Sequence, residues 1–188
     1  MYLRNSNKFN KKWDDENLIK VFEGKDILVT GACGSIGSEI VRQLVKYKPK
    51  RIMLFDHNES GLFWLDQSID YPGIRCLVGD IRNKERLRRV VKDVDIIFHA
   101  AALKHVPLSE YNPFEAVSTN IYGTQNLIDL AREEGVEKFI SISTDKAVNP
   151  INTMGATKLV SEKLVLNAPI GKSTTTFSCV RFGNVLTQ

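Results

Sequence analysis

The sequence is poor in the residues that build covalent, fibrous or membrane-spanning frameworks. Of its 188 residues only 3 are cysteine, 6 proline and 2 tryptophan. Cys33, Cys76 and Cys179 stand far apart and form neither a CxxC pair nor an even set. That excludes a disulfide scaffold, argues against a zinc site and favours a reducing cytoplasm. No His/Asp/Glu cluster has metal-ligand spacing either, so no metal is expected. Mean hydropathy is −0.18, and no apolar run is long enough to cross a bilayer. Met1 to Lys12 is polar and basic without an apolar core, unlike a secretory signal. Internal repeats, heptads and low-complexity tracts are absent as well.

An excess of one charge is also missing, since 26 Lys and Arg against 22 Asp and Glu leave a net +4. One basic cluster exists, from Arg82 through Lys84, Arg86, Arg88 and Arg89 to Lys92. A nucleic-acid surface would want such a cluster. Leu87, Val90 and Val91 interrupt it at helical spacing, which makes it the wet face of an amphipathic helix, and no nucleic acid is expected.

What is present is an alternation. Residues 1–23 lack sustained periodicity, although Trp13, Leu18, Ile19 and Phe22 can dock a short helix on the body. From Gly24 onward, strands are expected at 26–30, 51–56, 74–79, 95–100, 138–143 and 175–181. Helices are expected at 35–47, after Arg82, from Asn112-Pro113 to Gly135, and at 153–167. Short, nearly continuous apolar strands separated by helices imply a parallel sheet covered on both faces. The expected architecture is a doubly wound α/β sheet, with residues 24–188 forming one dinucleotide-binding Rossmann domain after an N-terminal segment of 1–23.

The first strand runs into Thr30 to Gly37 (TGACGSIG), where a helix starts. Gly31, Gly34 and Gly37 allow a tight turn, close backbone approach to a pyrophosphate and close helix–strand packing. Ser35 and Ile36 open the helix, whose N-terminal amides and dipole suit phosphate. The plain alternative is a glycine turn without ligand. The second strand ends in Asp56, nineteen positions after Gly37. A carboxylate there can accept from both ribose hydroxyls and repels a 2′-phosphate, so NAD is favoured over NADP. Its plain alternative is a surface-turn aspartate. Asp80 and Ile81 after the third strand are placed to meet the adenine. Ala100, Ala101 and Ala102 after the fourth are small, as a cofactor lying across strand ends demands.

The fifth strand closes in Ser143 to Pro150 (STDKAVNP), and Met154 to Lys158 (MGATK) opens the next helix. Adjacent Asp145 and Lys146 are two proton-transfer groups of opposite charge, or else a loop salt bridge. His99 at a buried strand end reads as structural, and His105 in a loop fits either role.

These segments, with His99 to Pro107 (HAAALKHVP), Thr119 to Thr124 (TNIYGT) and Val180 to Val185 (VRFGNV), resemble the extended short-chain dehydrogenase/reductase superfamily. Within it the chain is similar to the CapD-type polysaccharide biosynthesis proteins, 4,6-dehydratases acting on UDP-N-acetylglucosamine. The resemblance implies bound NAD and a UDP-sugar substrate. Oxidation at sugar C4 would be helped by Thr144, the C5 proton taken by Lys146 and the C6 hydroxyl protonated by Asp145. Hydride would then return to C6. Lys158 would hold the nicotinamide ribose, while Lys104, His105 and Asn184 would meet the substrate. Where the superfamily has the tyrosine of YxxxK, this chain has Met154, which cannot act as a base. Two other readings stay open: a UDP-sugar 4-epimerase or reductase, and a nucleotide-binding module without catalysis. Relatives of this kind continue past the VRFGNV stretch into a region that grips uridine diphosphate, and only three residues follow Val185 here. The expectation is therefore a C-terminally shortened chain with an uncovered apolar sheet face and a tendency to homo-oligomerise.

Overall fold

A computed structural model describes residues 15–169 and 174–183. Six parallel strands form one sheet: β1 (Asp26–Thr30), β2 (Arg51–Asp56), β3 (Ile74–Val78), β4 (Ile96–His99), β5 (Lys138–Thr144) and β6 (Thr176–Phe182). Their spatial order is β3-β2-β1-β4-β5-β6. All pairings are parallel, with Thr30 opposite both Phe55 and His99 and Ser143 opposite Arg181.

Alternate strand residues feed two cores, because side chains leave a strand on opposite faces. Ile27, Val29, Ile52, Leu54 and Ile96 meet Val41 and Leu44 of α2 (Ser35–Leu44) and Leu62 and Leu65 of α3 (Glu59–Gln67). Leu28, Met53, Phe55, Ile97 and Phe139 meet α4 (Lys84–Val91), α7 (Thr124–Glu133) and α8 (Thr153–Asn167). Ahead of the sheet, α1 (Asp15–Phe22) stacks Phe22 on Tyr47 and Phe98, at ring-centroid distances of 5.7 and 6.1 Å. Trp13 lies outside the described residues. The basic cluster does form an amphipathic helix. Leu87, Val90 and Val91 of α4 are buried, while Lys84 reaches Asp129 at 2.9 Å and Arg88 reaches Glu133 at 2.6 Å on α7.

One helix was not expected, and two expected helices need correction. The segment between β2 and β3 is helical. Asn58 caps α3 by accepting from the Gly61 amide at 2.9 Å, and only Leu62 and Leu65 of its contiguous apolar run are buried. The helix expected from Asn112-Pro113 to Gly135 is not continuous. α6 (Pro113–Val117) passes through a π-helical turn, Ser118–Gly123, into α7. A separate short helix, α5 (Val106–Tyr111), precedes it. The helix expected at 35–47 ends at Leu44 and continues as a 3₁₀ turn, Val45–Tyr47.

The π turn has a physical reason. It turns Asn120, and Thr124 at the start of α7 just after it, into an otherwise apolar interior, both 1% exposed. Thr124 donates to the Asn120 carbonyl at 2.7 Å, so its oxygen accepts from His99 Nε2 at 2.9 Å. His99 Nδ1 then accepts from Thr30 Oγ1 at 2.8 Å. His99 is thus a neutral Nε2–H imidazole, fully satisfied, joining β1, β4 and α7. Burial, with a smaller push from Lys158, drives its pKa down to about 3.

An unfolded histidine takes its proton near pH 6.5. Folding that excludes the proton is therefore fully favoured above that pH and loses stability as pH falls toward the folded value. Between pH 7 and pH 5 the loss from His99 alone is about 2 kcal/mol. His99→Gln should flatten the dependence of the urea midpoint on pH over this window. Parallel pH profiles for the two proteins would show that His99 is not excluded from protonation.

Candidate functional site: a cleft across the strand ends

The strand order runs outward in both directions from the adjacent pair β1 and β4, which makes their C-terminal ends the switch point of the sheet. In such sheets this is where ligands lie. A cavity of about 560 Å³ opens there and continues into a second of about 290 Å³. Ser35, Ile36, Ala100, Ala102, Leu103 and Lys104 line both, so the two form one elongated cleft.

The first cavity is floored by the glycine loop, and the three glycines do different work. Gly31 has φ +67°, and a Cβ there would stand 2.5 Å from the Ala101 nitrogen. A Cβ on Gly37 would stand 2.1 Å from the Gly31 oxygen. These two hold the turn and the helix against the sheet. At Gly34 only the Gly31 oxygen comes within 4 Å of such a Cβ, at 3.3 Å. Gly34 caps α2 without any side-chain cap bond to the first-turn amides. Gly34 is thus bare because of the cleft, and the loop leaves a cradle with free-facing helix amides that fits a phosphate.

Asp56 ends β2 in the same cavity wall and is 8% exposed. Its Oδ2 accepts from the Cys33 amide and its Oδ1 from the Asn58 amide, each at 3.0 Å. Backbone thus fixes the carboxylate and leaves further lone pairs facing the cleft. Asp80 is different. Arg82 grips it through Nε at 2.8 Å and Nη2 at 2.5 Å, and also pairs with Glu115 of α6. The guanidinium holds the Asp80 carboxyl below the usual range. The Asp80 carboxylate, expected to meet the adenine, is also engaged by Arg82. Ile81 is buried against Gly123, and Ala100, Ala101 and Ala102 form the wall opposite the glycine loop.

The second cavity gathers Thr144, Lys146, Met154 and Lys158 with Lys104, and adds Ser143, Phe182 and Gly183. Met154 is 3% exposed. Lys158 is buried and donates to the Ile142 carbonyl at 2.7 Å, and burial pulls its pKa down to about 8. Asp145 does not line either cavity. It sits beside Thr144, accepting from Thr144 Oγ1 at 3.0 Å, with Lys146 Nζ at 3.4 Å. Those bonds, Thr144 first, hold its carboxyl below the usual range. His105 caps α5 and lines the first cavity, not the second. Asn184 lies outside the described residues.

Sequence reasoning missed the residues that hold this wall. Asn120 accepts from the Leu103 amide at 2.8 Å and donates to the Leu103 carbonyl at 3.0 Å and to Thr157 Oγ1 at 2.9 Å. Thr124 meets Ser161 at 3.1 Å. This chain ties the Ala100–Lys104 loop to the helix that carries Met154 and Lys158. The available signal was the polar pair Asn120 and Thr124, four residues apart on an apolar helix face.

Residues 27–188 match the family described as polysaccharide biosynthesis protein. The chain belongs to that family. It is 47% identical over 169 residues to a UDP-N-acetylglucosamine 4,6-dehydratase (inverting) of Campylobacter jejuni, covering 88% of this chain and 51% of that protein. Among solved structures it is similar to Pen from Bacillus thuringiensis, with TM-score 0.85 and 45% identity over 88% of this chain and 52% of that one. It is also similar to a DesIV double mutant, a dTDP-glucose 4,6-dehydratase from Streptomyces venezuelae solved with NAD and DAU bound. That match has TM-score 0.73 and 28% identity over 82% of this chain and 54% of that one. The chain spans about half the length of these relatives. Among the described residues no helix is long and apolar enough to cross a membrane.

The glycines give a direct test. Gly34→Val should keep the fold and abolish any binding of a nicotinamide dinucleotide seen by calorimetry. Gly37→Val should lower the unfolding midpoint, since overpacking costs about 1–3 kcal/mol. Unfolding by Gly34→Val, seen by circular dichroism, would show that glycine to be structural.

Proposed function

We propose that the cleft binds NAD and belongs to a 4,6-dehydratase acting on UDP-N-acetylglucosamine in polysaccharide biosynthesis. The observation that carries this reading is the second cavity, where Thr144, Lys146 and Lys158 surround a buried Met154. A UDP-sugar 4-epimerase would want a base at the place Met154 occupies, which speaks against that alternative. The relative from Campylobacter and the DesIV structure support the dehydratase class by their names.

The fit to a dinucleotide rests on the Gly34 cradle at one end and Lys158 at the other. The α2 amides face the pyrophosphate, Asp56 accepts from the adenosine ribose and Lys158 donates to the nicotinamide ribose. When bound, NAD supplies the hydride acceptor and donor that the sugar needs. Thr144 accepts the proton of the sugar 4-hydroxyl and passes its own to Asp145 across their 3.0 Å hydrogen bond. Asp145, a carboxylate before this step, is thereby loaded as the acid for the departing C6 hydroxyl. Lys146, in the cavity wall, takes the C5 proton made acidic by the C4 ketone. The three acts share one short segment, so their order follows from which group holds the proton.

Two experiments test the reading. Asp56→Ala should weaken NAD more than NADP, by roughly 1.5–3 kcal/mol for a lost charged acceptor. Equal loss for both cofactors by calorimetry would remove Asp56 from the ribose. In the protein extended by the C-terminal half of the Campylobacter relative, Lys146→Ala should stop C5 deuterium uptake from heavy water into UDP-N-acetylglucosamine product. Full uptake by the variant would refute the assignment.

A further inference from the structure

The proposed chemistry leaves the buried carboxylate of Glu162 unused. Glu162 lies on α8, four residues after Lys158, with its side chain 4% exposed. Ser143 Oγ donates to its Oε1 at 2.5 Å. Arg181 of β6 donates from Nε to Oε1 at 2.9 Å and from Nη2 to Oε2 at 2.6 Å. Ser143 and Arg181 are register partners on neighbouring strands, so both reach the same helix face. Each partner adjoins the second cavity: Ser143 lines it and precedes Thr144, while Arg181 precedes Phe182 and Gly183 in its wall. Lys158, one helical turn before Glu162, lines it too.

A buried ion pair is poor evidence of a stability role, because apolar residues of similar volume often serve as well. The surroundings of Lys158 give this one a different use. Lys158 Nζ donates a hydrogen bond to the Ile142 carbonyl of β5, and His99 of β4 and Cys179 of β6 are near enough to interact with its charge. Lys104 and Lys146 share its cavity. Near pH 8 His99 is neutral, and burial pushes the Cys179 thiol up to about 11, so it is neutral as well. Of these groups and Glu162, only Glu162 is then an anion.

We propose that Glu162 is a positioning residue of the cleft: it pins the Ser143 end of β5 and supplies the negative charge that keeps the Lys158 ammonium in place, with Arg181 of the edge strand sharing that charge. This rests on the reading of Lys158 as the group that meets the cofactor ribose. Arg181 then tunes Lys158 through the carboxylate between them.

The test follows the side-chain NMR signal of Lys158 through a pH titration of the full chain, labelled at lysine Cε and assigned by its loss in Lys158→Arg. The wild-type midpoint is expected near 8. Glu162→Gln should lower it by about one pH unit, the lower end of the effect of removing an opposite charge at this range. Arg181→Gln should move it the other way by a smaller amount. A purely structural staple would move neither, or both in the same direction, and either result would overturn the proposal. If Glu162→Gln does not fold by circular dichroism, the double variant E162Q/R181Q leaves no unpaired charge. Its midpoint should still fall below wild type, and an unchanged midpoint would overturn the proposal. Unchanged NAD affinity in Lys158→Ala would instead refute the cofactor reading and leave the titration result standing.

Discussion

The cleft depends on the closeness of two backbones, Gly31 at the end of β1 and Ala101 after β4. A side chain at Gly31 would stand 2.5 Å from the Ala101 nitrogen, and φ +67° there suits only a residue without Cβ. Because the strands end this close together, the glycine loop and the alanine loop become the two walls of one crevice. Gly37 repeats the constraint one helical turn on, seating α2 on the Gly31 carbonyl. Gly34 between them would meet only the Gly31 oxygen, at 3.3 Å, so the same loop that is packed tightly beneath is more open above.

Burying polar groups is costly unless every one is bonded, and this fold buries a chain of them behind the crevice. Thr30, His99, Thr124 and Ser161 run from the first strand to the last described helix, and Asn120 with Thr157 runs beside them. The side chains of all six are satisfied, so the network has one arrangement that costs little and many that cost more. The Leu103 backbone, clasped at both its amide and its carbonyl by Asn120, is where that network reaches the cleft. The π turn that brings Asn120 inward is a local distortion of the helix kept for this purpose, and such turns are frequent at functional sites.

Much of this was legible in the sequence, because its signals were local. The alternation of apolar strands and amphipathic helices gave the sheet, and the spacing of Gly31, Gly34 and Gly37 between a strand and a helix gave the loop. What was illegible depended on partners distant in the chain. The α3 run of Leu62 to Leu65 has no helical spacing, and only the cap at Asn58 and the need to join two parallel strands betray it. The grip of Arg82 on Asp80 was not legible, because Arg82 is held in place by Glu115, 33 residues on. Asp145 and Lys146 were paired from adjacency, and adjacency does not say that only Lys146 of the two lines the cavity. Glu162 carries no local signal, since only the pairing of β5 with β6 brings Ser143 and Arg181 to it.

Membership of the polysaccharide biosynthesis family and the Rossmann architecture account for the shape of the cleft, while its length is the central claim. One continuous crevice, about 560 Å³ joined to about 290 Å³, should hold a single dinucleotide from Asp56 to Lys158. The most direct measurement is a crystal structure of the protein grown with NAD. The account predicts the pyrophosphate over Gly34, the adenosine ribose on Asp56 and the nicotinamide in the second cavity beside Met154 and Lys158. A nicotinamide ring outside the second cavity, or a pyrophosphate away from the α2 amides, would contradict it.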